Sequence, residues 1–547
     1  MNEELPLERF YRWERERPAR IFLTQPYDGG KLREWTWAQT AYEVRRIAGY
    51  LRAQGWEPGS RVAILARNSA RWMMADLAIW MAGHVTVPIY PSLRAQTIRQ
   101  ILEHSDAKLC FVGATDEPDA VLAGMPPGVP AVRFATDWDA LAAGNAAIEG
   151  NPTRGGDELA TIFYTSGTTG APKGVMHRFS ALTFCADILG ERLSLVEGEE
   201  RILSYLPLAH IFERVGDAIP AVLGGWHVFF TEGPETFIAD VQRARPTLFL
   251  SVPRLLVKFQ QGVFEKVPRQ KLDRLLRIPL VGRIAGNKVL RGLGLNRARF
   301  AACGSAPLSL DVLTWYRGLG LNLIEGYGLT EALITHLTKP GKVRLGTVGS
   351  ALEGVEDRRA ANGELQIKSP MNMLGYFKDP RATEDAFTSD GFLRTGDLAE
   401  IEADGVVRIV GRIKEQFKTS KGKYVAPAPI EMKLAAHTDV ESCCLMGSGM
   451  ASPFAVVVLT AEARERPRPA VAEALAQLLD SVNAQLDHHE RLAFLVVAEE
   501  PWTIGNGLLT PTLKLKRGSL EQRYLARVEA WKRGDERVVW EAEQVAS

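Results

Sequence analysis

The sequence has few cysteines, no excess of one charge and no long apolar run, and each absence removes a class of protein. Its five cysteines are scattered, odd in number and without CxxC spacing. We therefore expect free thiols in a reducing compartment and no zinc site. The formal net charge of 547 residues is +1, so no global field would attract nucleic acid.

The longest apolar stretch, from Leu77 to Tyr90, is 14 residues long and contains His84. That length is too short to span a bilayer. Residues 1–20 are polar, carry both charge signs and lack the pattern of a signal peptide. We expect a cytoplasmic protein whose membrane contact is at most peripheral.

Strand and helix patterns alternate in the N-terminal part of the chain. Residues 61–66 and 85–90 have the composition of buried strands, whereas 70–81, after a capping Asn68–Ser69 pair, and 95–104 have helical spacing. This alternation predicts an α/β fold with a largely parallel sheet. The chain is long enough for two to four units of core size.

A loop rich in hydroxyl groups and glycine separates two short strand patterns, at 159–164 and 175–177. Glycines let backbone N–H groups approach an anion, hydroxyls donate to phosphate oxygens, and a lysine adds positive charge. This chemistry predicts a polyphosphate cradle, although the spacing is not that of a Walker A loop; a plain polar hairpin is the alternative. The candidate phosphate contacts are Thr165, Ser166, Gly167, Thr168, Thr169, Gly170 and Lys173.

Two later strand patterns, at 300–308 and 321–331, each end in a tight turn. Ligands of α/β sheets collect at the carboxyl ends of strands. The second turn would offer the ring of Tyr327 to a purine, the hydroxyl of Thr330 and the carboxylate of Glu331 for Mg²⁺.

These motifs together resemble the adenylate-forming superfamily of acyl-CoA synthetases, luciferases and peptide-synthetase adenylation domains. The resemblance extends from about residue 10 to 520, and segments 203–214, 245–254 and 508–517 are most similar to long-chain acyl-CoA synthetases. It implies an enzyme that uses ATP and Mg²⁺ to form an acyl-adenylate and then transfers the acyl group to CoA.

The resemblance also implies a domain organisation: a large N-terminal α/β domain with helix-flanked sheets over residues 1–411, and a small, mobile C-terminal α+β domain over 412–547. Lys414 matches the pivot between them. Asp397, after a Thr-Gly turn, matches a residue that contacts the ribose, although an Asp in a turn is common in any protein. Arg412 matches a residue that contacts the ribose or phosphate. The other implied nucleotide or CoA contacts are Ser305, Ala306, Pro307, Glu325, Gly326, Gly328, Lys421 and Gly422.

Two candidate catalytic residues have open alternatives. His210 lies in a segment similar to the acyl-substrate site, but a lone histidine among apolar residues is more often structural. Lys514 takes the position of the lysine that neutralises charge during attack on the α-phosphate. Leu513 stands where a glycine is usual, and Lys516 is only two residues away.

Residues 266–299 contain ten Lys or Arg and one acid, with apolar residues between them. A solvated helix face is one interpretation, and a peripheral membrane patch that collects an amphiphilic substrate is the other.

The sequence predicts an ATP-dependent ligase that joins a medium- or long-chain fatty acid to CoA. The alternatives are an aryl or other carboxylate-CoA ligase, a carrier-protein-loading acyl-AMP ligase and a non-catalytic nucleotide-binding paralogue. A peptide-synthetase unit is less expected, because no carrier domain follows residue 547. Intact Lys173, Glu331 and Lys514, with Asp397 and Arg412, argue against the non-catalytic protein.

Overall fold

The computed structural model describes residues 4–115, 118–166, 172–306, 308–510, 514–532 and 536–544. The chain divides into two compact units that alternate along the sequence. The first unit is Met1–Ala306, Val312–Asp357 and Ile367–Arg394, and the second is Pro307–Asp311, Arg358–Gln366 and Thr395–Ser547. The predicted domain boundary between residues 411 and 412 stays a prediction.

The first unit contains three groups of neighbouring strands. The largest has the order Gly375–Tyr376, Pro172–Arg178, Leu159–Ser166, Val85–Ile89, Arg61–Leu65, Leu109–Val112, Ala131–Arg133. The second has the order Lys31–Thr36, Ile21–Tyr27, His227–Phe230, Arg201–Ser204. The third has the order Leu248–Ser251, Phe300–Cys303, Leu323–Leu329, Leu333–Leu337, Gly349–Ala351. The last five strands of the largest group are parallel, which confirms the α/β prediction.

Helices connect most of these strands. They are Pro6–Glu16, Trp37–Ala53, Ala70–Met81, Ala95–His104, Pro118–Gly124, Trp138–Gly144, Phe179–Leu193, Ile211–Glu213, the π-helix Arg214–Ala218, Ile219–Gly224, Phe237–Ala244, Pro253–Lys266, Arg269–Leu276, Val281–Gly292, Leu310–Gly318 and Pro380–Ala386. In the part of the chain that the structure describes, no helix is both long and apolar enough to cross a membrane.

The central parallel strands Arg61–Leu65 and Val85–Ile89 are buried on both faces, as helices between them require. The Ala70–Met81 helix, which joins Arg61–Leu65 to Val85–Ile89, is buried all round. It begins where the sequence predicts, because the Ser69 side chain accepts a hydrogen bond from the Trp72 N–H.

The second unit has its own strands and helices. One group of strands, part of which extends across the limits of the unit, has the order Val406–Arg412, Leu393–Ile401, Glu364–Lys368, Glu356–Arg359. A short hairpin pairs Phe417–Lys418 with Tyr424–Val425. A sheet has the order Val440–Met446, Phe454–Leu459, Leu495–Val497, Val538–Trp540. The helices are Ile413–Glu415, Pro427–Ala435, Ala461–Glu465, Arg468–Asn483, Arg517–Tyr524, Leu525–Arg527, Val528–Trp531 and Glu541–Gln544.

Alternate residues of the Phe454–Leu459 strand enter two different apolar cores. Val457 packs in a cluster with Leu475, on the side of the Arg468–Asn483 helix. Val456 packs in a second cluster with Trp531. The sheet is therefore covered on both faces, as expected for a small α+β unit.

The strand expected to end in a Gly-Tyr-Gly turn continues through it, so this detail of the prediction is wrong. Leu323–Leu329 pairs antiparallel with Leu333–Leu337, and Tyr327 and Gly328 lie inside the strand at a bulge. A Cβ at position 328 would lie 2.2 Å from the Leu333 carbonyl oxygen. Glycine serves here for close approach of the partner strand, and not for a turn.

A buried ion pair ties the π-helix to the Ala70–Met81 helix. Arg214 Nη2 lies 2.6 Å from both carboxylate oxygens of Asp76, and the Thr86 hydroxyl donates to the same carboxylate at 2.7 Å. The guanidinium also lies over the rings of Trp72 and Trp80, at 4.8 and 5.4 Å. Because both charges are out of water, loss of one partner leaves the other uncompensated.

We therefore predict that Arg214→Met lowers the free energy of unfolding by about 3–5 kcal/mol. Arg15, exposed and 3.3 Å from Glu16, provides the control, and Arg15→Met should cost less than about 1 kcal/mol. Urea denaturation at pH 7 measures both. Adding Asp76→Leu to Arg214→Met should restore part of the loss, and a double variant less stable than the single one would contradict this account.

Candidate functional site

The predicted phosphate loop connects the Leu159–Ser166 and Pro172–Arg178 strands, which pair antiparallel. Thr165 and Lys173, two of the predicted phosphate contacts, are paired across the hairpin. Residues 167–170 and the side chain of Ser166 lie outside the described part. The structure thus supports a hairpin with a short connection between two firmly paired strands.

Lys173 lies beside an aromatic ring that the sequence prediction did not include in the site. Its Nζ is 4.9 Å from the ring centroid of Tyr376. The next residue, Gly174, packs closely against neighbouring side chains, since a Cβ there would lie 2.8 Å from Ile162 and 3.3 Å from Phe377. The glycine lets the strand carrying Lys173 approach its neighbours.

Hydrogen bonds attach Glu331 to the hairpin region. The Tyr376 hydroxyl donates to Glu331 Oε1 at 2.9 Å, and the Met373 N–H donates to the Glu331 carbonyl at 2.8 Å. Burial and the Glu331 carboxylate raise the pKa of Tyr376, so its hydroxyl stays protonated. Tyr376 therefore contacts both Lys173 and Glu331, two predicted site residues far apart in sequence.

His177 makes a second link, to the neighbouring threonine. Its Nε2 lies 2.6 Å from the carbonyl oxygen of Thr330, so the ring donates from this nitrogen. The side chain is fully buried, and burial lowers its pKa to about 4. A neutral imidazole suffices for this bond, and it fixes the backbone of the turn that carries Thr330 and Glu331.

The Tyr327 ring rests on a buried histidine. It meets His336 edge-on, with 5.7 Å between ring centroids, and His336 Nε2 lies 3.2 Å from Asp357 Oδ2 while Nδ1 lies 3.0 Å from the Thr335 hydroxyl. Tyr327 itself is half-exposed. The arrangement fixes a ring at the surface of the first unit, which suits the predicted stacking on adenine.

Ser305 follows the Phe300–Cys303 strand, and Glu325 lies in the adjacent parallel strand Leu323–Leu329. Cys303 pairs with Glu325, so the two segments emerge side by side. Ser305 has a φ of 69°, which is unusual for a residue other than glycine, asparagine or aspartate. Ala306 is exposed, and Pro307 lies outside the described residues. Strained backbone of this kind is typical of ligand sites.

His210 caps a helix. Its Nδ1 accepts a hydrogen bond from the Phe212 N–H at 3.1 Å, at the start of Ile211–Glu213. The ring also contacts Tyr90, with centroids 6.5 Å apart. These contacts agree with the structural interpretation, and a catalytic role for His210 stays a prediction.

In the second unit, the two predicted ribose contacts are neighbours. Asp397 and Arg412 are partners on paired strands, and Arg412 Nε lies 2.8 Å from Asp397 Oδ1. The carboxylate is 5% exposed and the arginine 55%. The Thr395 hydroxyl accepts from the Asp397 N–H at 3.1 Å and donates to the Leu365 carbonyl at 2.6 Å. The pair is thus held on a rigid element.

The remaining predicted residues of this unit lie on exposed segments. Lys414 is in the Ile413–Glu415 turn, and Lys421 and Gly422 are in the loop between two short strands, where Gly422 has a φ of 75°. Lys514 is exposed, whereas Lys516 is half-buried.

Hydrogen bonds join Lys514 to Thr510, and an ion pair holds the helix that begins three residues after Lys514. The Lys514 N–H donates to the Thr510 hydroxyl at 3.0 Å, and the Thr510 N–H donates to the Lys514 carbonyl at 2.8 Å. Three residues later, Arg517 forms an ion pair with Glu431 at 2.8 Å and donates to the Leu445 carbonyl. Arg517 is a supporting residue that sequence reasoning missed.

The donor set fits a magnesium ion bound together with substrate phosphates. Glu331 Oε1 accepts from Tyr376, while Oε2 has no hydrogen-bond partner among the residues that the structure describes. Within that same part of the chain, no group of three or more His, Cys, Asp or Glu could hold a metal. Mg²⁺ commonly takes one or two carboxylates and completes its shell with water and phosphate oxygens.

Comparisons with known proteins identify the family. The profile described as "AMP-binding enzyme" matches residues 10–377, and "AMP-binding enzyme C-terminal domain" matches residues 414–532. The chain therefore belongs to the AMP-binding enzyme family. It is a member of the adenylate-forming superfamily, as the motifs predict.

Two relatives and two solved structures illustrate the similarity. "Long-chain-fatty-acid–CoA ligase FadD15" of Mycobacterium bovis is 29% identical over 94% of this chain and 95% of its own length. "Long-chain-fatty-acid–CoA ligase 1" of Homo sapiens is 28% identical over 92% and 82%.

The A-PCP didomain of a carboxylic acid reductase from Segniliparus rugosus, in complex with AMP, has a TM-score of 0.81 at 22% identity, covering 97% of this chain and 82% of that one. The anthranilate CoA ligase AuaEII, in complex with anthranoyl-AMP, has a TM-score of 0.80 at 20% identity, covering 96% and 98%. At these identities the structures show a shared fold.

The buried His177 predicts a pH-dependent stability. Because its pKa is about 4 in the folded chain and 6.5 when unperturbed, the unfolded state binds the extra proton between these values. Stability should therefore fall as pH drops from 6.5 towards 4, by about 2–3 kcal/mol from this residue. Urea unfolding at pH 7 and pH 4.5 should show a smaller fall for His177→Gln than for the wild type.

The exposed His488 provides the matched control, and His488→Gln should keep the wild-type difference between the two pH values. Part of the fall should persist in His177→Gln, because burial also lowers the pKa of His84 to about 4 and that of His227 to about 3. An unchanged fall in His177→Gln would refute the assignment.

Proposed function

We propose that the protein is an ATP-dependent acyl-CoA ligase that activates a medium- or long-chain fatty acid. It is an AMP-forming acid–thiol ligase, with ATP and Mg²⁺ in the first half-reaction and CoA in the second. The fatty acid would attack the α-phosphate of ATP, releasing pyrophosphate and leaving an acyl-adenylate. The CoA thiol would then displace AMP and form the thioester.

One observation carries this proposal: Tyr376 contacts both Lys173 and Glu331, and His177 bonds to the backbone of Thr330. A cation, a carboxylate and a hydroxyl are thereby fixed in one unit. Reactions on a polyphosphate need positioning and charge stabilisation more than a protein nucleophile. The arrangement supplies both.

In the first half-reaction, the phosphate loop with Lys173 would hold the β- and γ-phosphates. Thr330 would contact the α-phosphate, and Glu331 would hold Mg²⁺, which neutralises phosphate charge when bound. Tyr327 would pack on the adenine. Lys514 would bring its ammonium to the reacting oxygens, where charge develops during the attack.

Asp397 would accept hydrogen bonds from the ribose hydroxyls, with Arg412 holding the carboxylate in place. For the second half-reaction, we propose that the chain pivots at Lys414. This movement would withdraw Lys514 and present the loop with Lys421 and Gly422 to the acyl-adenylate and CoA. The exposure of all four residues is consistent with such exchange.

The preference for a fatty acid has support from the names of relatives that align over more than nine-tenths of this chain. An aryl acid is the main rival, since the AuaEII structure, an anthranilate ligase, covers 96% of this chain. We further propose a cytoplasmic location with peripheral membrane contact over residues 266–299.

Pyrophosphate release with MgATP and a panel of carboxylic acids, with and without CoA, tests the proposal. We expect turnover with C8 to C18 fatty acids, and a CoA thioester as product. If aryl acids are the better substrates, the proposed fatty acid is wrong and the proposed mechanism still holds.

Pyrophosphate release without any CoA thioester would indicate a carrier-protein acceptor. If the protein binds ATP but releases no pyrophosphate with any acid of the panel, the result would contradict the ligase and favour a non-catalytic nucleotide-binding protein.

Lys514 and Lys516 form a matched pair for the catalytic lysine. We predict that Lys514→Ala lowers the rate of adenylate formation by about 10²–10³-fold, because a positioned charge is lost from the transition state. Lys516→Ala should change it less than about threefold. Isotope exchange between pyrophosphate and ATP, in the presence of the acid, measures this step.

A synthetic acyl-adenylate supplied with CoA tests where Lys514 acts. Thioester formation should proceed at nearly the wild-type rate in Lys514→Ala, because the lysine is needed only for adenylation. A large loss in Lys516→Ala and none in Lys514→Ala would reverse the assignment.

A further inference from the structure

The Arg269–Leu276 and Val281–Gly292 helices form a hairpin with an apolar, exposed apex. Ile278, Leu280, Val281 and Ile284 are 49%, 77%, 43% and 71% exposed. No other stretch of seven residues in the described chain exposes four large apolar side chains. The patch therefore differs from the single exposed apolar residues that are normal on any surface.

The Val281–Gly292 helix packs against the protein through its opposite face. Gly282, Gly286 and Leu290 recur at four-residue spacing and are buried. A Cβ at Gly282 would lie 2.4 Å from the Leu276 carbonyl, and a Cβ at Gly286 would lie 2.4 Å from the Leu319 carbonyl. These glycines bring one face against the protein, so the apolar apex contributes little to the core.

The apex is a strained three-residue turn with leucine at its centre. Leu280 has φ 66° and ψ −53°, and the Val281 N–H donates to the Pro279 carbonyl at 2.8 Å. This γ-turn is rare, and its positive φ suits glycine or asparagine better than leucine. Leu280 therefore strains the backbone without the burial in the described chain that would offset the strain.

Positive charge surrounds the apex. Residues 269–292 contain seven Lys or Arg and one acid, Asp273, which lies 3.6 Å from Arg269. Arg277 and Arg283, on either side of the apex, have no ion-pair partner among the described residues. An anionic surface would complement them.

We propose that this apex inserts into the headgroup region of an anionic lipid bilayer, with Leu280 and Ile284 entering the apolar boundary and Arg277 and Arg283 pairing with lipid phosphates. Apolar side chains flanked by flexible cationic ones suit a fluid, negatively charged interface. The interpretation rests on the proposed function in one respect, since an amphiphilic acid substrate would be gathered at the same surface.

Vesicle co-sedimentation without ATP or acid tests the proposal on the full-length protein. Wild type should bind phosphatidylcholine vesicles containing phosphatidylglycerol and bind pure phosphatidylcholine vesicles much more weakly. The Leu280→Asn/Ile284→Asn variant should lose about tenfold or more in partition coefficient. The partition coefficient of the Arg277→Gln/Arg283→Gln variant should also fall by about tenfold or more, and its binding should depend less on salt concentration.

Matched controls separate a specific apex from general surface chemistry. Leu122 and Ile238 are exposed apolar residues elsewhere, and Leu122→Asn/Ile238→Asn should bind like wild type. Arg15→Gln/Arg381→Gln, also at exposed positions, should do the same. Circular dichroism confirms that each variant is folded.

Absence of wild-type binding to anionic vesicles would overturn the proposal and favour a protein partner. Equal binding by the apex and control variants would also overturn it. Because the assay measures binding alone, a protein that fails as a fatty acid ligase can still pass it, and an active ligase can still fail it.

Discussion

The hydrogen bond from the Tyr376 hydroxyl to Glu331 joins segments of chain that are 45 residues apart. Together with the bond from His177 to Thr330, it fixes the turn that carries the candidate metal ligand to the strand that begins with the candidate phosphate loop. Charged groups that act on phosphate must be positioned before the substrate arrives, since reorganisation during the reaction would cost part of the stabilisation. The positions of Thr330 and Glu331 relative to Lys173 depend on these two bonds.

The candidate residues fall into two mechanical classes. Asp397, Tyr327 and Lys173 lie on paired strands, and each has a neighbour that holds it: Arg412, His336 and Tyr376. Lys514 and Lys421 lie on exposed loops. A nucleotide that stays bound through both half-reactions suits the first class, whereas groups that take part in only one suit the second.

Much of the fold and many site positions could be predicted from local patterns. The strands at 61–66 and 85–90 and the helix capped by Ser69 are correct because burial and capping leave clear local signals. The prediction of a turn at the Gly-Tyr-Gly segment is wrong, because glycine permits both a turn and the close approach of a neighbouring strand. Only the partner strand at Leu333–Leu337 decides between the two.

The residues that hold the candidate site residues in place could not be predicted from local patterns. Tyr376, His177 and Arg517 act through partners distant in sequence, at Glu331, Thr330 and Glu431. A tyrosine in a Gly-Tyr-Phe segment or a histidine at a strand position gives no local sign of what it contacts.

Among the described residues, two leucines adopt a positive φ, and their surroundings differ. Leu333 has φ 60° directly after the Glu331 turn, and its side chain is 1% exposed. Burial in the core therefore offsets the strain and holds the turn. Leu280 has φ 66° at the hairpin apex without that burial. Burial offsets a positive φ at Leu333 and not at Leu280, and this difference is consistent with the lipid contact proposed for the apex.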